Sequence, residues 1–304
     1  MTWSVADMPD LSGKVALVTG GNAGIGYEVS KELAKKGARV LVASRNPGKV
    51  EAAVAKLREA VPGASVSGYT LDLAAFSSID AFIDKLTSDG VTAIHILVAN
   101  AGVFVPPFIK TEQGFEVQLG TNAVGTIYST ERLLPLLQAG APSRVVFLSS
   151  DMASSASELQ LQDFGGEALT TTFFAQYMLS KLYDALYAVA LSRRPSLSGS
   201  ISAFAVHPGF VNTEIQEKAD LGVVGFLLKG LSFVMAVPQA DGALSTLYAA
   251  TAPGLSSGQS FGPDRLNRGF TDPWKPSSPA FTPENADLMM EAATKVIQAK
   301  GGKL

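Results

Sequence analysis

Tyr177 and Lys181 stand four positions apart in the stretch QYMLSKLYDAL, residues 176–186. On a helix that spacing puts a phenol and an ammonium on one face, a turn from each other. A cation beside a phenol favours the phenolate, so such a pair is one way to build a proton donor that works near neutral pH. The same spacing recurs at Tyr27 and Lys31 in GYEVSKEL, again with a serine before the lysine. The pair alone therefore decides nothing, and the segments that would surround it must be read with it.

Composition narrows the chemistry. The chain has no cysteine, which excludes disulfides, thiolate metal sites and a cysteine nucleophile. Its two histidines, His95 and His207, are far apart in sequence, so neither a histidine-rich metal site nor a Ser-His-Asp triad is expected. Net charge is −3 and no basic run occurs, which gives nucleic acid no footprint. The 304 residues are 47% hydrophobic and 17% charged, the balance of a well-buried globular chain. The N-terminal MTWSVADMPDLSGK lacks the basic start and apolar stretch of a signal peptide, and a cytoplasmic protein is the expectation. The most apolar run, LGVVGFLLKGLSFVMAV at 221–237, is broken by Lys229 and glycines and falls short of a membrane span. It reads as a lid or substrate wall, with a helix lying on a membrane surface as the rival.

Short β-branched runs alternate with longer amphipathic ones. KVALVT (14–19), ARVLVAS (38–44), SVSGYT (65–70), IHILVAN (94–100), RVVFLSS (144–150), SISAFAVH (200–207) and SGQSFG (257–262) read as strands. Helices are expected after Gly24, near 48–60, near 76–88, from about 112 to 138, around Tyr177 to about 194, near 238–251, and from Pro283. Strands apolar throughout, alternating with helices, predict one doubly wound, Rossmann-type α/β domain over residues 1–304, with about seven parallel strands covered on both faces. A substrate lid at about 212–238 and a surface segment and helix at about 263–304 complete it. In such sheets ligands bind beyond the carboxyl ends of the strands, where strand order reverses.

The residues after the strands suit that rule. TGGNAGIG, with Gly20, Asn22, Gly24, Ile25 and Gly26, offers a tight turn and a helix N-terminus to a pyrophosphate, although its spacing is not G-x-G-x-x-G. After the second strand an acidic partner for a ribose 2′-hydroxyl is missing. Arg45 stands there instead and suits a 2′-phosphate, which favours NADP(H) over NAD(H). Asp72 and Leu73 follow the third strand, and Asp72 either accepts from an adenine amino group or caps the next helix. Asn100 and Gly102 follow the fourth and would let the backbone approach a ribose. Ser150 ends the fifth, and the Pro208–Gly209 bend after the sixth leads to Thr213.

TGGNAGIG, LDL, ANAG, GTNAVGT, FLSS, YMLSK and HPGFVNTE, in this order and in these places, resemble the short-chain dehydrogenase/reductase family over nearly the whole chain. GFEVQLGTNAVGTIYSTERLLPLL, VPQADGALSTLYAAT and the long gap from Ser150 to Tyr177 are similar to its retinol-dehydrogenase-like branch. The resemblance implies an NADP(H)-linked enzyme that interconverts a ketone or aldehyde and its alcohol, and the apolar 221–237 segment, placed where this family builds its substrate lid, points to a lipophilic one. It implies Asn122, Ser150, Tyr177 and Lys181 as the catalytic set. As cofactor contacts it implies the glycine loop, Asp72, Asn100 and Thr213. It further implies homodimer or homotetramer pairing through the helices at 112–138 and 172–194. Ala99 and His95 depart from the usual residues of the family. An epimerase or dehydratase using the cofactor transiently, and a cofactor-binding sensor or scaffold without turnover, are the alternative readings.

Overall fold

The computed structural model describes residues 3–104, 109–169, 172–209, 211, 238–263 and 271–304. Thr213, the apolar run at 221–237 and nearly all of the expected lid lie outside the described residues. The expected strands form as β1 (Val15–Thr19), β2 (Arg39–Ser44), β3 (Val66–Thr70), β4 (Ile96–Ala99), β5 (Ser143–Leu148), β6 (Ile201–Val206) and β7 (Ser260–Pro263). All seven run parallel, in the order β3-β2-β1-β4-β5-β6-β7. The register places Leu17 between Leu41 and Leu97, all three fully buried, as a central strand covered on both faces requires.

Among the described residues an eighth strand, β8 (Thr271–Pro273), extends the sheet antiparallel to β7. The sequence reading placed this segment on the surface. A three-residue strand carries no periodicity, and what recruits it is the free edge of β7.

The helices are α1 (Gly24–Lys35), α2 (Pro47–Ala60), α3 (Phe76–Ser88), α4 (Thr126–Ala139), α5 (Phe173–Ser192), α6 (Gln239–Gly242), α7 (Leu244–Thr251) and α8 (Pro283–Ala299). Apolar residues of α1, α2 and α7 pack on one face of the sheet, and those of α3, α4, α5 and α8 on the other. The helix expected from about 112 starts later. Gly114 is left-handed (φ 88°) and Lys110 bridges to Glu116, so this stretch loops back on itself. The Glu116 carboxylate then accepts from the N–H groups of Gln118 and Leu119, at 2.9 Å each, where the helical backbone begins. Its first part is a π turn, Leu119–Gly125, before α4 proper.

The C-terminal helix α8 crosses α5 and buries Met289, Ala293 and Ile297. Lys300 pairs with Glu167 at 2.6 Å, and the backbone N–H of Lys303 donates to the Tyr128 hydroxyl on α4 at 3.2 Å. Pairing of subunits through α5 would therefore have to be made over α8. Because Met289 is fully buried, Met289→Ala should cost about 2–5 kcal/mol in denaturant unfolding. A loss well under that range would mean that α8 is not part of the cooperative core.

Candidate active site

Sheet order reverses between β1 and β4, and the loops after these two strands are stitched together by one side chain. The Thr19 hydroxyl accepts from the backbone N–H groups of Asn100 and Ala101 at 3.1 and 3.0 Å, while Asn100 Nδ2 donates back to the Thr19 carbonyl at 2.9 Å. Gly20, Gly21 and Gly26 of the first loop have no room for side chains. A Cβ on Gly26 would lie 2.4 Å from the Gly20 carbonyl oxygen, and one on left-handed Gly20 would meet Asn100 Nδ2 at 2.7 Å. Ala23 precedes α1 and gives its first N–H groups no side-chain cap. A bare helix N-terminus behind close-packed glycines suits a pyrophosphate, so these residues fit a dinucleotide.

Among the other sequence-derived cofactor positions, Asn22 is half-buried in this loop and Ile25 is buried on α1. Arg45 is exposed directly after β2. Asp72 does not cap α3: its Oδ1 accepts from the Ala74 N–H at 3.0 Å, and its own N–H donates to Ser78 Oγ at 2.9 Å. Leu73 is buried, and its carbonyl lies where a Cβ on Gly125 would stand, at 2.0 Å. A Cβ on Gly102 would stand 3.3 Å from Asn122 Oδ1 and 3.4 Å from Lys181 Nζ. Pro208 lies half-buried beyond β6.

The four candidate catalytic residues sit on elements that meet around α5, which packs against the π turn, β5 and the short 3-10 turn Asp151–Ser155 after it. Asn122, inside the π turn, is 1% exposed and clamps the loop after β4. Its Oδ1 accepts from the Val103 N–H at 2.7 Å, and its Nδ2 donates to the Val103 carbonyl at 2.9 Å and to Ser180 Oγ at 3.1 Å. Ser150 Oγ accepts from the Met152 N–H at 3.2 Å, which occupies a lone pair and leaves the hydroxyl proton to donate elsewhere. Tyr177 is half-buried among aromatic rings: Phe104 meets it edge-on at 4.8 Å between centroids, and Phe173 and Phe174 lie 6.0 and 5.5 Å from Phe104.

Lys181 is almost wholly buried. Its Nζ donates to the Leu148 carbonyl at 2.8 Å and to Asp184 Oδ2 at 2.9 Å, and stands 6.0 Å from the Tyr177 ring centroid. Ser149 Oγ donates to the Lys181 carbonyl at 2.6 Å, tying the end of β5 to α5 a second time. Burial works against the ammonium, but Asp184 and then Tyr177 outweigh it and raise the proton affinity of Lys181. Burial likewise pushes the Asp184 carboxyl up to about 6 in spite of the lysine.

The sequence reading missed Thr19, which lies inside TGGNAGIG but carries no glycine signal. It missed Asp184, whose i,i+3 relation to Lys181 was open to inspection, and Phe104, which no spacing rule connects to Tyr177. The decoy pair separates as expected from its place on α1: Lys31 pairs with Glu28, and Tyr27 is buried under Lys56.

A family model described as short chain dehydrogenase matches residues 14–162. An uncharacterized oxidoreductase of Schizosaccharomyces pombe is 35% identical over 266 residues, covering 84% of this chain and 77% of the relative. Retinol dehydrogenase 12 of Homo sapiens is 37% identical over 245 residues, covering 81% of this chain and 75% of the relative. Among solved structures, an uncharacterized protein from Mycobacterium paratuberculosis superposes with a TM-score of 0.77 at 30% identity, over 98% of both chains. The Pseudomonas aeruginosa RhlG/NADP active-site complex shares the fold, with a TM-score of 0.66 at 23% identity over 85% of this chain and 98% of the other. A Rossmann-type sheet with a dinucleotide cradle and these relatives define a nicotinamide-dependent oxidoreductase of the alcohol/carbonyl type. The chain belongs to the short-chain dehydrogenase family, and within it is retinol-dehydrogenase-like.

His207, just past β6, sits where burial opposes its protonation. It is 8% exposed, its ring lies 4.6 Å from that of Trp274, and its Nδ1 accepts from the Gly209 N–H at 3.2 Å. Burial lowers its pKa to about 4, against a small opposing effect of Asp151. The folded chain holds this imidazole neutral while the unfolded chain protonates it below about 6.5, so its contribution is present above that pH and is lost as pH falls towards 4. Unfolding free energy should therefore drop over this window by on the order of 3 kcal/mol more in the wild type than in His207→Gln. The difference between the two curves removes the opposite slope of Asp184, and parallel curves would contradict the assignment.

Proposed function

We propose that the protein is an NADP(H)-dependent oxidoreductase that interconverts a lipophilic ketone or aldehyde and its alcohol, with Tyr177 as proton donor and acceptor. The observation that carries this reading is that the π turn holding Asn122 and the end of β5 leading to Ser150 both pack against α5, which carries Tyr177 and Lys181, with Lys181 bonded to the carbonyl at the end of β5 and facing Gly102. When bound, the nicotinamide supplies or accepts the hydride. The chain's own groups must then manage the charge that develops on the substrate oxygen. In the reducing direction the Tyr177 hydroxyl passes its proton to that oxygen, and in oxidation the phenolate takes it back. The Ser150 hydroxyl, anchored by the Met152 N–H, donates a second hydrogen bond and fixes the oxygen's direction. Lys181 lends positive charge to the phenolate, and Asn122 holds the loop that carries Gly102 against Lys181.

Lipophilicity is supported by Phe104, which meets Tyr177 and itself packs on Phe173 and Phe174, and by the likeness to retinol dehydrogenases. A preference for the 2′-phosphate is supported by exposed Arg45 at the end of β2, where an NAD-specific site would want a carboxylate. No helix among the described residues is long and apolar enough to cross a membrane.

Tyr177→Phe should lower turnover of a carbonyl panel roughly 100-fold or more and leave NADPH affinity within about twofold. Turnover retained at the wild-type level would remove Tyr177 from its role. Arg45→Ala should weaken NADPH binding roughly 10- to 100-fold in a fluorescence titration and leave NADH binding unchanged. Equal losses for both cofactors would contradict the 2′-phosphate assignment.

A further inference from the structure

We infer that Asp184 is a positioning residue of this site: its carboxylate is the counter-ion that keeps Lys181 an ammonium and directs the lysine's remaining N–H into the crevice. The inference rests on the reading of Lys181 given above, and neither the family motif nor the four-residue catalytic set includes Asp184.

The geometry is specific. An ammonium has three N–H groups, and Lys181 spends one on the Leu148 carbonyl at 2.8 Å and one on Asp184 Oδ2 at 2.9 Å. The third is left on the side of Gly102, where a Cβ would stand 3.4 Å from Nζ and 3.3 Å from Asn122 Oδ1. Removal of either tether would free the ammonium to turn away from that crevice.

The surroundings argue against a merely structural pair. Leu182, Tyr183, Ala185 and Leu186 around Asp184 are all fully buried, so a hydrophobic residue would suit this stretch of α5. An ion pair taken out of water returns little stability, because desolvation consumes most of the Coulomb attraction. The side chains of Lys181 and Asp184 are only 6% and 5% exposed, and burial alone would drive the lysine towards the neutral amine. The charged and titratable groups acting on it are Asp184 and Tyr177, both on α5. From β5 come the Leu148 carbonyl and Ser149, and from the π turn neutral Asn122, so among the described residues no other charge substitutes for Asp184. A lysine that loses its proton can no longer support a phenolate at Tyr177, so the consequence is a loss of activity on the alkaline side.

Asp184→Asn removes the charge and keeps the shape, and Asp184→Ser is an equally neutral, smaller substitute should Asn not pack. Two readouts on the full chain separate the questions. The 13Cε resonance of Lys181, identified by its disappearance in Lys181→Arg, reports protonation of the amine whether or not a substrate is known. The pH profile of NADPH-dependent carbonyl reduction reports the consequence. The neutral variants should deprotonate Lys181 at lower pH than the wild type. They should lose turnover several-fold at pH 7, where the freed ammonium is no longer aimed, and roughly tenfold more between pH 7 and pH 9 as the amine deprotonates, and Asp184→Glu should restore both behaviours. An unchanged Lys181 titration, with superimposable rate profiles and only a lower melting temperature, would overturn the inference and leave a structural ion pair. A shifted titration in a protein that reduces no carbonyl would support Asp184 as the counter-ion and count against the proposed reaction instead.

Discussion

A positive charge buried where β5 meets α5 has to be matched by acceptors that cannot move. Lys181 obtains them from the last carbonyl of the strand, Leu148, and from a carboxylate one turn along its own helix. The first bond fixes the helix against the sheet; the second fixes the ammonium against the helix. Ser149 adds a third tie by donating to the Lys181 carbonyl, and Ser150 follows directly in the chain. The placement of the serine, the tyrosine and the lysine is thus one problem, solved by the junction of two elements rather than by three independent side chains.

The same economy holds on the cofactor side. The reversal of strand order between β1 and β4 opens a crevice, and Thr19 closes its floor by bonding the end of β1 to the loop after β4. Asn122 links the two halves: its amide holds Val103 after β4 and reaches Ser180 beside Lys181. The π turn that carries it lets a fully buried asparagine face a loop that a regular helix would pass by. Glycines appear where backbones must nearly touch, as at Gly26 over Gly20 and Gly125 over Leu73.

The sheet and its helices were legible in the sequence because parallel strands buried on both faces leave continuous apolar runs, and because glycines mark the turns that follow them. Asn122, Ser150, Tyr177 and Lys181 could be put forward as a set only through the order of motifs, since Tyr27 and Lys31 show that the spacing occurs elsewhere. What escaped depends on tertiary contact. Strand β8 is three residues long and exists because β7 has an edge to fill. The late start of the helix before α4 depends on Glu116 capping the N–H groups of Gln118 and Leu119, which requires a buried carboxylate where the sequence offers only a polar residue. Asp184 reads as an ordinary helix aspartate until its burial beside Lys181 is known. Phe104 meets Tyr177 across a gap of more than seventy positions, and no periodicity reports that.

The central claim is that these groups serve hydride transfer to a carbonyl carbon, with the proton supplied by the protein. The most direct measurement is mass spectrometry of the alcohol formed from a lipophilic ketone with NADPH carrying deuterium at nicotinamide C4. The account predicts one deuterium on the carbinol carbon of the product when the transferred position is labelled. A product formed without label from either C4 position would contradict it.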